Sequence, residues 1–309
     1  MLEEWTNLEN ISFYPIKGVV NMSLYADIQP GLSSKSKEVT IFRELLKSLR
    51  KIGLVHEMHG PKTYQVEFRD PVFAPLTTRC ELCDLFIVVL KDGKGKFTFL
   101  QCKRDFSANY LMNNITAIPI RQFYLLGYRP EIYPHTKSFI IPRTILSEAL
   151  TPSIGTLGVF YLDSLGKVNM EYSVMELMHT NSSIGVVDFQ KNVNKNYSFQ
   201  GRYKHIRTIN GYEEVERLEH LDDFEKHLLD LKIGEPITHS NQESSSFALN
   251  IAKKVLSESI TPNDLLLLKI SRLFEEIGGG ISNNDDFQDF MDSTNILIID
   301  GDEVKNTDI

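Results

Sequence analysis

The spacing of apolar and polar positions defines several elements before any chemistry is considered. From Ser34, "SKSKEVTIFRELLKSLRKIG" sets Val39, Ile41, Phe42, Leu45, Leu46, Leu49 and Ile52 at helical intervals and stops at Gly53. Glu38 stands on the same stripe as Ile41, Phe42, Leu45 and Leu49, so a first-turn carboxylate faces inward. A strand is expected through Thr63–Phe68. Next, "CDLFIVVLKDGKGKFTFLQCKRD" (83–105) reads as two apolar strands joined across "KDGKGK", an antiparallel hairpin. "PIRQFYLLG" predicts a short helix from Pro119 to Gly127, and Lys137–Pro142 a further strand. The order is helix, strand, strand, strand, helix, strand.

Beyond about Thr144, "LGVFYLDSLGKVNMEYSVMELM" predicts strand, turn and strand, and "HLDDFEKHLLDLKIG" a helix closed by Gly234. "THSNQESSS" (Thr238–Ser246) is expected as a linker or exposed loop. Two amphipathic helices follow, "FALNIAKKVLSES" and "TPNDLLLLKISRLFEEIGGG", the second capped by Thr261 with Pro262 behind it. "NILIIDGDEV" adds a strand to some sheet or pairs with a partner. The expected division is residues 1–143, 144–281 and an acidic tail 282–309.

The hairpin carries its charge at the end away from the turn. If Leu90 faces Phe97, Phe86 lies opposite Gln101 and Asp84 opposite Lys103, with Gln101 diagonal to Asp84. Alternation puts Phe97, Phe99, Gln101 and Lys103 on one face, matched by Asp84, Phe86 and Val88. Polar groups thus converge at one end of an apolar face, where an unpaired charge costs several kcal/mol. The bland reading is a cross-strand ion pair at a sheet end plus a first-turn carboxylate favoured by the helix dipole.

Composition narrows the class. With 42% hydrophobic and 24% charged residues in 309, the chain has the makeup of a globular protein. The opening "MLEEWTNLENISFYP" shows no secretory signal and no run reaches a membrane span, so the expected location is cytoplasmic. Cys80, Cys83 and Cys102 suit buried free thiols, since the Cys80-x-x-Cys83 pair lacks a second ligand pair for zinc. Net charge is -8, but residues 282–309 hold eight acids and one base, which is -7 of that total. The remainder is nearly neutral and compatible with a nucleic-acid partner.

A helix with an inward Glu38, an Asp84 opening one strand and Gln101-x-Lys103 closing the next resembles the PD-(D/E)xK nuclease superfamily over Ser34–Pro142. It departs from the usual pattern in having no proline before Asp84 and glutamine in place of an acid at 101. The resemblance implies a mixed α/β (α+β), restriction-endonuclease-like central sheet flanked by helices, with a C-terminal α+β extension. It also implies a Mg²⁺ (or Mn²⁺)-dependent endonuclease acting on DNA, double-stranded in the first instance, in restriction or phage defence, with an ATPase or sensor protein, or a further copy of the chain, as partner. Asp84 would be the central metal ligand, Glu38 would help directly or through water, the Gln101 carbonyl would be a neutral ligand, and Lys103 would orient the attacking water.

Other positions were weighed for phosphate contact. "FQKNVNKNYSFQGRYKHIR" (Phe189–Arg207) carries Lys191, Lys195, Arg202, Lys204 and Arg207 without an acid, interleaved with Tyr197, Phe199 and Tyr203. Arg79, Arg104, Arg121 and Gln122 lie near the hairpin motif; for all of these a solvated or ion-paired surface role is the alternative. No GxxxxGK[ST] or GxSxG string is present. A second functional reading is a non-catalytic assembly protein that keeps the fold and docks through its acidic tail and C-terminal helices; a third makes RNA the substrate. The acidic tail is further expected to be able to cover the cleft as a mimic of nucleic acid.

Overall fold

The computed structural model describes residues 23–58, 65–69, 76–136, 139–180, 182–199, 206–259, 263–279 and 287–305. Its centre is an eight-stranded sheet. In spatial order this runs β1 (Leu54–His56), β16 (Asn295–Asp300), β4 (Leu85–Lys91), β5 (Lys94–Arg104), β8 (Gly155–Leu162), β9 (Val168–Val174) and β14 (Arg217–Leu218), with β15 (Glu235–Pro236) beside the turn end of β5. The β16–β4 and β5–β8 pairs are parallel and the rest antiparallel, so the sheet is mixed.

Both faces of the sheet are covered, which is why its inner strands read as continuous apolar runs. Phe86, Val88, Leu90, Phe97 and Phe99 belong to one core with helices α4 (Ile120–Tyr128), α7 (Gln242–Ser257), α8 (Asp264–Ile277) and α9 (Gln288–Ser293). Leu85, Ile87, Val89, Leu100 and Cys102 belong to the other, with α1 (Leu24–Ile28), α2 (Glu38–Leu49) and α6 (Leu221–Leu229). The fold is therefore mixed α/β, a central sheet between helical layers. Three small sheets flank it: β3 (Thr77–Cys80), β2 (Val66–Arg69) and β7 (Ile132–Pro134); β10 (His179–Thr180), β11 (Asn194–Ser198) and β6 (Ile115–Pro119); and the β12 (Ile206–Ile209), β13 (Tyr212–Val215) pair. Short helices α3 (Ala108–Asn113), α5 (Val186–Lys191) and α10 (Gly301–Lys305) complete the described chain. Among the described residues no helix is long and apolar enough to cross a membrane.

The hairpin register differs from the expected one by two residues. Lys91 pairs with Lys94, Val88 with Phe97 and Phe86 with Phe99, because the connection is the two-residue turn Asp92–Gly93, both at positive φ (50° and 71°). A shift of two preserves side-chain parity, so the expected faces survive while the partners change. Asp84 now meets Gln101 rather than Lys103.

Other elements move for local reasons. Residues 139–142 form no strand; the strand parallel to β5 is β8, reached after α4. Val66–Arg69 is a strand, but it pairs with β3 and β7 outside the central sheet. The α6 helix ends at Leu229, five residues short of Gly234, whose φ of 100° instead lets its backbone lie against Phe97. Gln242–Ser246, expected as loop, is the first turn and more of α7; it is preceded by a capping box between Thr238 and Asn241. Asn263 caps α8 through its side chain, while Thr261 and Pro262 lie outside the described residues. The central sheet is continuous across the expected boundaries at 143 and 281: β8 joins β5, and β16 lies between β1 and β4. Residues 295–300 are thus a buried inner strand rather than part of a free tail.

Candidate functional site

At the end of the hairpin away from its turn, β5 outlasts β4 and Asp84 sits where the shorter strand begins. The Asp84 amide donates to Leu100 O (3.0 Å), fixing the residue against β5. Its carboxylate Oδ2 accepts from the Cys102 amide (2.7 Å) and from Gln101 Nε2. Asn295, the first residue of β16, donates from Nδ2 to Asp84 O (3.0 Å), and its Oδ1 accepts from the Met58 amide (3.2 Å). Asp84 is thereby held from both neighbouring strands.

Gln101 is fully buried, and with its Nε2 on Asp84 its Oε1 has no hydrogen-bond partner among the described residues. A buried carbonyl oxygen without a donor costs about 1–3 kcal/mol, unless something electropositive meets it. Lys103 is two residues on, its side chain mostly buried, with Nζ 3.8 Å from Glu38 Oε1. Glu38, on the first turn of α2, also accepts from the Arg104 amide at Oε2 (3.0 Å). The sequence-predicted residues Glu38, Asp84, Gln101 and Lys103 are thus joined by direct contacts in two pairs, Asp84 with Gln101 and Glu38 with Lys103, at one sheet end. Glu38 and Asp84 both line a cleft of about 160 Å³.

The same cleft contains residues that the sequence reading passed over: Arg43, Glu57 and Asn295. Each had a signal. Arg43 follows Glu38, Val39 and Phe42 around one face of α2, and Asn295 opens "NILIID" as Asp84 opens "DLFIVVL". Glu57 is tied to Arg50 at 2.6 Å.

The thiols contribute packing rather than reactivity. Cys80, Cys83 and Cys102 are buried and joined in no disulfide. Burial, and next the charge of Glu81, push the Cys80 thiol up to about 12, so it stays protonated at neutral pH. Among the described residues no group of three or more His, Cys, Asp or Glu side chains is arranged to hold a metal ion. A donor set of Asp84, Glu38 and the Gln101 amide oxygen has only two such side chains. The unpartnered Gln101 Oε1 beside the Asp84 carboxylate fits a hard cation that takes neutral and anionic oxygens together.

The second candidate surface is divided by the fold. Tyr197 and Phe199 are core residues, so neither ring is offered for stacking. Lys195 pairs with Asp188 at 2.6 Å, and Arg207 with Glu216 at 2.8 Å on the separate β12–β13 ribbon. Lys191 ends α5 and is exposed; Arg202, Tyr203 and Lys204 lie outside the described residues. Arg121, on the first turn of α4, donates from Nε to Phe189 O (3.1 Å) and from Nη2 to Gln190 O. Gln122 is buried and its Oε1 has no partner among the described residues.

Compared with protein-family models, with curated proteins and with solved structures, the chain matches none. Function must be argued from the cleft.

Proposed function

We propose that this chain is a divalent-metal-dependent nuclease that hydrolyses the phosphodiester backbone of double-stranded DNA, with the Asp84–Gln101 corner as its metal site. The observation that carries this reading is the buried, unpartnered Gln101 Oε1 set beside the Asp84 carboxylate at the open end of an apolar hairpin. Asp84, the Gln101 oxygen and Glu38 are the residues that would hold Mg²⁺ or Mn²⁺. A metal bound there supplies Lewis-acid polarisation of the phosphate and a lowered pKa for a coordinated water. The protein's own part is positioning and charge. Cys102 N and Asn295 keep Asp84 from turning away, and Lys103 brings a cation to the place where negative charge develops on the phosphoryl oxygens. The resemblance of the Glu38, Asp84 and Gln101-x-Lys103 arrangement to PD-(D/E)xK nucleases, with β8 parallel to β5 after α4, supports the same assignment.

The direct test is cleavage of duplex DNA with Mg²⁺ or Mn²⁺ by wild type, Asp84→Ala and Lys103→Ala. Cutting that disappears in both variants is the expected result; unchanged cutting in both removes the assignment. A second reading draws on the contacts of Glu38, whose carboxylate already serves Arg104 N and Lys103. Those contacts also suit a structural ion pair in a non-catalytic assembly protein. That protein shows no thermal shift on adding Mg²⁺ or Mn²⁺, whereas the nuclease does.

A further inference from the structure

A second, open cavity of about 480 Å³ is lined by Glu67, Thr77, Thr78, Arg79 and Arg121. Its walls come from three elements: β2 and β3 of one small sheet, and the first turn of α4. Glu67 is its carboxylate, and that group faces Arg79 Nε at 2.6 Å and His135 Nδ1 at 2.8 Å. The Arg121 guanidinium donates to the carbonyl oxygens of Phe189 and Gln190, and among the described residues no acid pairs with it. Carbonyls orient a guanidinium without cancelling its charge, so the cavity keeps a fixed cation. Thr78 is 5% exposed and its hydroxyl has no partner among the described residues. A fixed guanidinium, a second one shared with a carboxylate, and threonine hydroxyls suit a tetrahedral oxyanion, because guanidinium forks and hydroxyls both donate to phosphoryl oxygens.

The location makes this more than a generic anion pocket. Cys80 ends the strand that carries Thr78 and Arg79, and Arg79 stands five residues before Asp84, so the chain holds the two within about 18 Å of each other. A nucleic-acid backbone seated at Asp84 can therefore reach the arginines within a few phosphates.

We propose that the Thr78–Arg79–Arg121 cavity is a backbone-phosphate subsite, which grips the DNA strand a short way from the bond to be cut. This rests on the nuclease reading for its substrate, and it assigns a binding role to residues outside the metal site. Arg121 and Arg79 are positioning residues here, since they touch substrate phosphate without touching the reacting atoms.

The test separates gripping from cutting. Affinity for a fluorescein-labelled 20-base-pair duplex is measured by anisotropy in EDTA, over a series of KCl concentrations, for wild type, Arg121→Ala, Arg121→Lys, Arg79→Gln and Thr78→Val. Arg121→Ala is expected to weaken binding about tenfold and to lower the slope of log affinity against log salt by about 0.9, the loss of one phosphate contact. Arg121→Lys keeps the slope, and Arg79→Gln gives a smaller loss. Because Arg79 is half exposed, its variant folds even where Arg121→Ala does not. Affinity and slope unchanged in both Arg79→Gln and Arg121→Ala overturn the subsite, as does a wild-type protein that does not bind the duplex. A protein that binds as expected but cuts nothing with Mg²⁺ or Mn²⁺ keeps the subsite and overturns the nuclease reading instead.

Discussion

The Gln101 side-chain amide donates to the Asp84 carboxylate across the end of the β4–β5 hairpin, and the same Gln101 leaves its own oxygen buried with no partner among the described residues. One residue thereby both orients the acid and presents a neutral acceptor. That choice has a cost and a use. It avoids two adjacent buried carboxylates in the metal-free protein, and it lowers the charge available to a cation.

Gln101→Glu should reverse both effects. Two carboxylates side by side destabilise the protein in EDTA at pH 7, lowering its thermal midpoint, while the shift on adding Mg²⁺ grows and its half-saturating concentration falls. Weaker Mg²⁺ binding by Gln101→Glu than by wild type, read from the same thermal titration, counts against the assignment of Gln101 as a metal neighbour.

Asn295→Ala removes the clamp between β16, Asp84 and Met58. Two backbone groups, Asp84 O and Met58 N, lose their hydrogen bond to the Asn295 side chain, so a loss of about 1–3 kcal/mol in unfolding free energy is expected from chemical denaturation. If metal binding depends on the placement of Asp84, the Mg²⁺-induced thermal shift falls as well.

Much of this was legible in the sequence, and the reasons for the rest are specific. Parity along β4 and β5 correctly gave the faces, because Phe86, Val88, Phe97 and Phe99 do share one core. The register was missed because "KDGKGK" holds two glycines, and the count assumed a six-residue loop where Asp92–Gly93 suffices. A strand was expected at Lys137–Pro142, directly after α4, while residues 139–142 form none and the strand parallel to β5 begins at Gly155. Contacts far apart in sequence, such as Asn295 with Asp84, leave no periodic trace. Tyr197 and Phe199 looked like stacking platforms only because composition does not say which face of β11 is buried.

Glu225 offers a pH test remote from the cleft. Burial raises its pKa to about 7 from the ordinary 4.5; the Leu24 amide opposes this, and the charges of Asp222 and Asp27 add to it. Between those two values the folded state holds a proton that the unfolded chain has released, so stability falls as pH rises from about 4.5 to 7 and is flat above. Glu225→Gln should therefore raise unfolding free energy at pH 8 by on the order of 1–2 kcal/mol, after discounting for partial screening, and change little at pH 4.5. Equal effects at both pH values would falsify the assignment of the proton to Glu225.

The proposal that residues 283–309 mask the cleft meets a structural obstacle. Ile296, Leu297, Ile298 and Ile299 are at most 1% exposed, and burying four such side chains contributes roughly 6–12 kcal/mol, comparable to the stability of a whole domain. Beyond them, Asp300 and Asp302 hold Lys269 at 2.5 and 2.8 Å, and Asp302 accepts from the Asp92 amide at 3.0 Å. Removing residues 283–309 should yield unfolded or insoluble protein rather than a more active one, checked by circular dichroism and gel filtration. A soluble, cooperatively melting truncation contradicts this.

Because β16 lies between β1 and β4, the ribosome delivers an inner strand after every other strand of the sheet has been made. Until residue 300 emerges, the apolar edge of β4 is open to any passing strand, and chaperone binding or aggregation competes with closure. The metal corner shares that timing, since Asn295 reaches Asp84 only when this last ladder zips shut.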